Sequence, residues 1–113
     1  MVIEGVFAPA HVLVEAIRRR EVSSLEVVEA YLAQIARHNP DLQAVVTLDE
    51  DGARIRAREA DAALASGEEW GPLHGLPITL EDAHPTSGMR STWAGCHVWQ
   101  TTSRKRTVLW RPG

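Results

Sequence analysis

Two short β-strand stretches, set among helical ones, most limit what this chain can fold into. Residues 44–48 contain Val45, Val46 and Thr47, and residues 77–80 place Ile78 and Leu80 on one face and Thr79 on the other. Pro77 is tolerated there because a strand's first residue is one of the few places a sheet accepts proline. Two strands alone would leave unpaired edges, which folded proteins normally cover. The order α-α-β-α-β therefore predicts an α/β architecture with an incomplete sheet, the opening of a larger domain.

The helices follow from apolar spacing. Val12, Leu13, Ala16 and Ile17 predict a first helix over residues 8–20, ending in Arg18, Arg19 and Arg20. Ser23 and Glu26 form an S-x-x-E capping box that opens a second helix. Leu25, Val28, Leu32 and Ile35 share its face, with Tyr31 beside them. Asn39-Pro40 is expected to end it, because proline disfavours helical backbone in the residue before it. A third helix is expected over residues 49–66, with Ala53, Ala57, Ala60 and Leu64 on its packing face and Gly67 as its C′ residue.

Apolar residues make up 44% and charged residues 24% of the 113, ordinary for a globular domain. Cys96 is the only cysteine, so no internal disulfide can form. There is no apolar run of the ~20 residues that a membrane helix needs, and no basic segment precedes an apolar one at the start. The expectation is a cytoplasmic protein with no membrane association.

The stretch Gly71-Pro72-Leu73-His74-Gly75-Leu76-Pro77-Ile78-Thr79-Leu80-Glu81-Asp82 is the most distinctive in the chain. It resembles the G-P-L-H-G-[IL]-P-hydrophobic-x-hydrophobic-K-D motif of the amidase signature family. Gly88-Met89-Arg90-Ser91-Thr92-Trp93-Ala94-Gly95 is similar to the segment that follows it there. Ser23 to Val28 resembles the family's S-[SA]-x-E-[LV]-[VT] helix start, and Asn39 with residues 44–48 resembles its turn and strand. The resemblance covers residues 12–95. It implies part of a large α/β domain that hydrolyses amides, or transfers ammonia from them, with a Ser–cis-Ser–Lys triad, no metal and no cofactor.

That chemistry needs a serine activated by a neighbouring base, and a lysine serves as one only where burial keeps it neutral. The resemblance puts the lysine at the position of Glu81, a shorter side chain of opposite charge. Lys105 is the only lysine, and no Gly-rich serine segment is present. The six serines (23, 24, 66, 87, 91 and 103) lie outside any such context. No residue is assigned as catalytic. Gly71, Pro72, Leu73, His74, Gly75, Pro77 and Asp82 stand as family-motif residues only.

Other candidates are weaker. Glu81 could serve as a base only with a nucleophile within reach, and a solvated acid beside Asp82 is the simpler reading. His74 reads as a structural loop residue rather than a base. His84 with Glu81 and Asp82, or Cys96-His97, falls short of a convergent ligand set, so no metal is expected. Arg18, Arg19 and Arg20 read as a solvated helix end favoured by the helix dipole rather than a phosphate site.

Charge divides the chain into residues 1–95 and an atypical tail, 96–113. The first part carries eight Arg against fifteen acids, net −7; the tail carries Arg104, Lys105, Arg106 and Arg111 and no acid, net +4. A basic arm for nucleic acid is one reading, and not the favoured one. The other is a shifted reading frame. Back-translating Val98 to Arg111 and regrouping the bases permits Leu-Ala-Asp-Tyr-Val-Pro-Glu-Glu-Asp-Ser-Ala-Val-Ala, which resembles the family's A-D-x-V-P-x-x-D-A-x-x-V continuation. The coding DNA decides between them. The functional expectation is a truncated amidase-like chain, inactive alone. The alternatives are an interaction module that self-associates or pairs with a complementary amidase fragment, and a basic-tail nucleic-acid binder. A small-molecule amide substrate belongs only to the full-length family context.

Overall fold

A computed structural model describes residues 7–93 of the chain. They divide between two compact units. One combines the chain up to Ala44 with Glu50–Ile78; the other combines Val45–Asp49 with the segment from Thr79.

The first unit is helical. Helix α1 spans Ala10–Arg18, α2 Ser24–Leu42 and α3 Glu50–Ala65. Helix α1 is shorter than its apolar pattern at both ends. Pro9 stands as its N-cap, with its carbonyl accepting from Val12 and Leu13. At the other end Arg20 takes a left-handed φ of 56°. The Arg20 N–H then bonds the Ile17 carbonyl and the Glu21 N–H bonds that of Ala16, a Schellman ending with arginine where glycine is usual. Helix α3 ends the same way on Gly67, whose N–H reaches Leu64 while that of Glu68 reaches Ala63.

Helix α2 opens with the capping box expected from Ser23 and Glu26. The Ser23 hydroxyl accepts from the Glu26 N–H at 3.1 Å, and the Glu26 carboxylate accepts from the Ser23 N–H at 2.8 Å. That backbone hydrogen bond, with the one from the Ser23 hydroxyl, holds the Glu26 carboxyl below the usual carboxylate range. The next two orphan donors are met from another helix. Asp61 of α3 accepts the N–H of Ser24 at 2.7 Å and of Leu25 at 3.1 Å. A carboxylate at a helix N-terminus also meets the positive end of the helix dipole.

The expected stop at Asn39-Pro40 is corrected: α2 runs through Pro40 to Leu42 and ends on Gln43 in the left-handed region. Proline there removes one donor in the final turn, and the Gln43 N–H, 2.7 Å from the Asn39 carbonyl, completes that turn. Residues 44–48 and 77–80 do not form strands among the described residues. A strand is defined by its ladder, and neither segment finds one there.

Two clusters form the core. Ala16 and Ile17 of α1 pack with Val22 and Val27, backed by Tyr31 and Leu64. Val28 and Leu32 of α2 pack on Ala57 of α3, backed by Leu25 and Ala53. The small side chains of Ala57, Ala60 and Ala63, all buried, let α3 lie close to its neighbours. Arg54 of α3 grips Glu29 of α2 through two hydrogen bonds of 2.7 and 3.2 Å and holds its carboxyl below the usual range. The arginines closing α1 are tied down rather than simply solvated. Arg18 pairs with Glu69 at 2.5 Å, Arg19 with Glu15 at 2.8 Å, and Arg20 donates to the Leu64 carbonyl at 2.7 Å.

Candidate functional site

The G-P-L-H-G-L-P stretch is a loop fastened to both long helices. His74 is its inner anchor and is almost fully buried. Its Nδ1 accepts the Trp70 N–H at 3.0 Å, which requires a lone pair on that nitrogen. The other ring nitrogen, Nε2, therefore carries the proton and donates to the Ala60 carbonyl of α3 at 2.9 Å. Both ring nitrogens are thus engaged with backbone, and no lone pair remains for proton abstraction. The tilted Trp70 ring lies 5.1 Å from the imidazole, and the Arg56 guanidinium stacks on Trp70 at 3.9 Å.

Gly75 is the second anchor. The Ser24 hydroxyl donates to its carbonyl at 2.5 Å. Its φ is +72°, and an added Cβ would lie 3.1 Å from Ser24 Cβ and 3.2 Å from Ile17 Cγ2. Glycine is needed here both for the left-handed backbone and for the close approach. The first turn of α2 is therefore held twice, by Asp61 on its amides and by Gly75 on its first hydroxyl. Sequence reasoning placed Ser24 only in the family's helix-start pattern and gave Asp61 no role. Their partners lie 51 and 37 residues away, and no local pattern carries that information.

An open groove of about 670 Å³ runs beside this loop. Val28, Ala53, Ala57, Trp70, Leu73 and Ile78 contribute to its wall.

The second unit holds Glu81 and Asp82. Glu81 is solvated, with 77% of its side chain exposed and the His84 Nδ1 3.9 Å away. Asp82 is part of the local architecture. One carboxylate oxygen accepts the Thr92 N–H at 2.9 Å and the other accepts the Thr92 hydroxyl. The Ser91 hydroxyl donates to the His84 carbonyl at 3.2 Å, closing the same turn. The hydroxyls of Ser24 and Ser66 likewise donate to backbone carbonyls, those of Gly75 and Ala63. Among the described residues no group of three His, Cys, Asp or Glu side chains could hold a metal ion. Cys96-His97, Lys105 and Ser103 lie outside the described residues.

A family model described as Amidase matches residues 26–106, well over half of the chain. The chain belongs to the amidase family. Among the relatives of this amidase chain are glutamyl-tRNA(Gln) amidotransferase A subunits from three bacteria. That of Acidothermus cellulolyticus is 46% identical over 80 residues, 71% of this chain. That of Neorickettsia sennetsu is 44% identical over 79 residues, 70% of this chain. The Roseiflexus protein is 42% identical over 80 residues, 71% of this chain. In each case the match spans only 16% of the relative's length.

Proposed function

We propose that this chain is a non-catalytic piece of an amidase scaffold, carrying the family's loop without the family's base. The supporting observation is Glu81. The family acts on amide carbon–nitrogen bonds, and the motif resemblance calls for a lysine at this position. Glu81 is instead an exposed carboxylate with no serine hydroxyl bonded to it among the described contacts. A general base must reach the proton it removes, at hydrogen-bond distance or through one water. Three other motif residues serve folding here, His74 against α3, Gly75 against α2 and Asp82 against Thr92.

The same reading makes residues 44–48 and 77–80 strands of an α/β sheet completed by further amidase chain. It assigns residues 96–113 to a shifted reading frame, although the family match continues in the present frame as far as residue 106; the coding DNA decides. No helix among the described residues is long and apolar enough to cross a membrane; a cytoplasmic location fits the single cysteine. The relatives are amidotransferase subunits, which supports amide transfer as the ancestral reaction class.

The test is ammonia release from glutamine and simple primary carboxamides by the purified 113-residue chain. The expected result is a rate equal to the buffer blank, unchanged in Glu81→Ala. Turnover that scales with protein concentration and co-elutes with the chain would overturn the reading.

A further inference from the structure

We infer that the His74 clasp is an acid-sensitive latch: uptake of one proton by the imidazole releases the 70–78 loop from α3. The inference does not depend on the proposed loss of catalysis. His74 is 2% exposed, and its ring bonds go to backbone. Nδ1 accepts the Trp70 N–H at 3.0 Å, and Nε2 donates to the Ala60 carbonyl at 2.9 Å. A neutral imidazole has one acceptor nitrogen and a charged one has none. Protonation at Nδ1 would therefore set two N–H donors against each other and leave a buried cation with a single hydrogen bond. The ring can keep the Trp70 contact or take the proton, and not both.

The charges around the clasp do not offset that cost. On α3, Arg56 stacks on Trp70 at 3.9 Å, and the Trp70 ring lies 5.1 Å from the imidazole, so a second cation would join the same cluster. Glu59 pairs with Arg56 at 2.9 Å, and both oxygens of Asp61 are taken by the N–H groups of Ser24 and Leu25. Just before the loop, Glu68 accepts from Trp70 Nε1 at 3.2 Å, and Glu69 pairs with Arg18 of α1 at 2.5 Å. Helix α2 meets the loop through the neutral Ser24 hydroxyl. An open loop exposes an ordinary imidazole, which takes up a proton near a pH of about 6.5. Closure thus excludes a proton that the open form binds. The latch holds fully above that pH and weakens as the pH falls below it. The Glu26 and Glu29 carboxyls, both held below the usual carboxylate range, stay charged through this window.

Hydrogen exchange at the Trp70 amide of the full 113-residue chain tests this, with rates corrected for the intrinsic pH dependence of exchange. Between about pH 7 and pH 5.5 its protection should fall roughly eightfold, the change that one proton bound only by the open form produces. In His74→Asn, whose side-chain oxygen accepts a hydrogen bond at either pH, protection should change by less than about twofold. The inference is overturned if wild-type protection is the same at both pH values, or if His74→Asn loses as much as the wild type. Should His74→Asn fail to fold, a nitrogen NMR titration of the wild-type imidazole gives the same answer. Nδ1 should stay unprotonated for as long as the Trp70 amide is protected. A ring protonated at Nδ1 with that amide still protected overturns the inference. Neither readout involves turnover, so the latch and the catalytic reading fail independently.

Discussion

Gly75→Ala is expected to destabilise the helical unit by about 3 kcal/mol, against about 1 kcal/mol for Gly67→Ala. Both glycines have positive φ, +72° and +83°, so both substitutions force an L-residue into left-handed backbone. That strain is roughly 1–2 kcal/mol, partly offset by about 0.4–1 kcal/mol of reduced freedom in the unfolded chain. The two positions differ in what the new methyl meets. At Gly67 nothing lies within 4 Å. At Gly75 the contacts at 3.1 and 3.2 Å fall on Ser24 and Ile17, and both residues are among the most buried in the chain. Neither can swing aside, so overpacking adds roughly 1–3 kcal/mol. For a unit of this size the difference should separate the two melting temperatures by roughly 8–16 °C. Equal melting temperatures would mean that the loop is not seated on α2 as described.

His74→Ala removes the other anchor and should cost about 3 kcal/mol. The change deletes a buried ring and leaves the Trp70 N–H without its acceptor, an orphaned donor alone being worth roughly 1–3 kcal/mol. The Ala60 carbonyl suffers less, because a helical carbonyl retains its own turn. A local readout accompanies the global one: the Trp70 amide, bonded to Nδ1 at 3.0 Å, should lose its protection from hydrogen exchange. His74→Asn should recover part of the loss, since its side-chain oxygen can stand near Nδ1. Unchanged stability and unchanged Trp70 exchange in His74→Ala would show that the ring is free for another role.

The parts of the fold visible in the sequence were those specified by near neighbours. The Ser23–Glu26 box and the Gly67 ending each lie within one helical turn, and the structure holds both. Helix interiors were equally legible from apolar spacing, although Val27 is buried while Ile35 is only partly so. Ends governed by competing local terms were misjudged. Pro40 was expected to stop α2, yet the helix runs through it and ends two residues later at Leu42. What the sequence could not show was tertiary capping. Asp61 reads as one more acid on an exposed helix until α3 sets it against the start of α2. His74 could be seen as a loop histidine, but its two backbone partners appear only when the loop folds over Ala60. The motif of residues 71–82 conveyed family membership, which the family match to residues 26–106 establishes. It conveyed nothing about which of its residues hold the loop in place.

The proposed loss of catalysis turns on one position: by motif resemblance, Glu81 stands where the family's chemistry needs a lysine. The direct measurement is the amidase rate of a chimera in which the matched segment of the Acidothermus relative is replaced by this chain's counterpart. The two segments are 46% identical over 80 residues, close enough for the exchange to preserve the scaffold. The chimera carrying Glu81 should be slower than the parent by about 10²–10⁴-fold, the usual contribution of a positioned base. The same chimera with Glu81→Lys should recover most of that rate, which also shows that the grafted segment folds. A Glu81 chimera as fast as its parent, or one that Glu81→Lys fails to improve while remaining folded, would contradict the account.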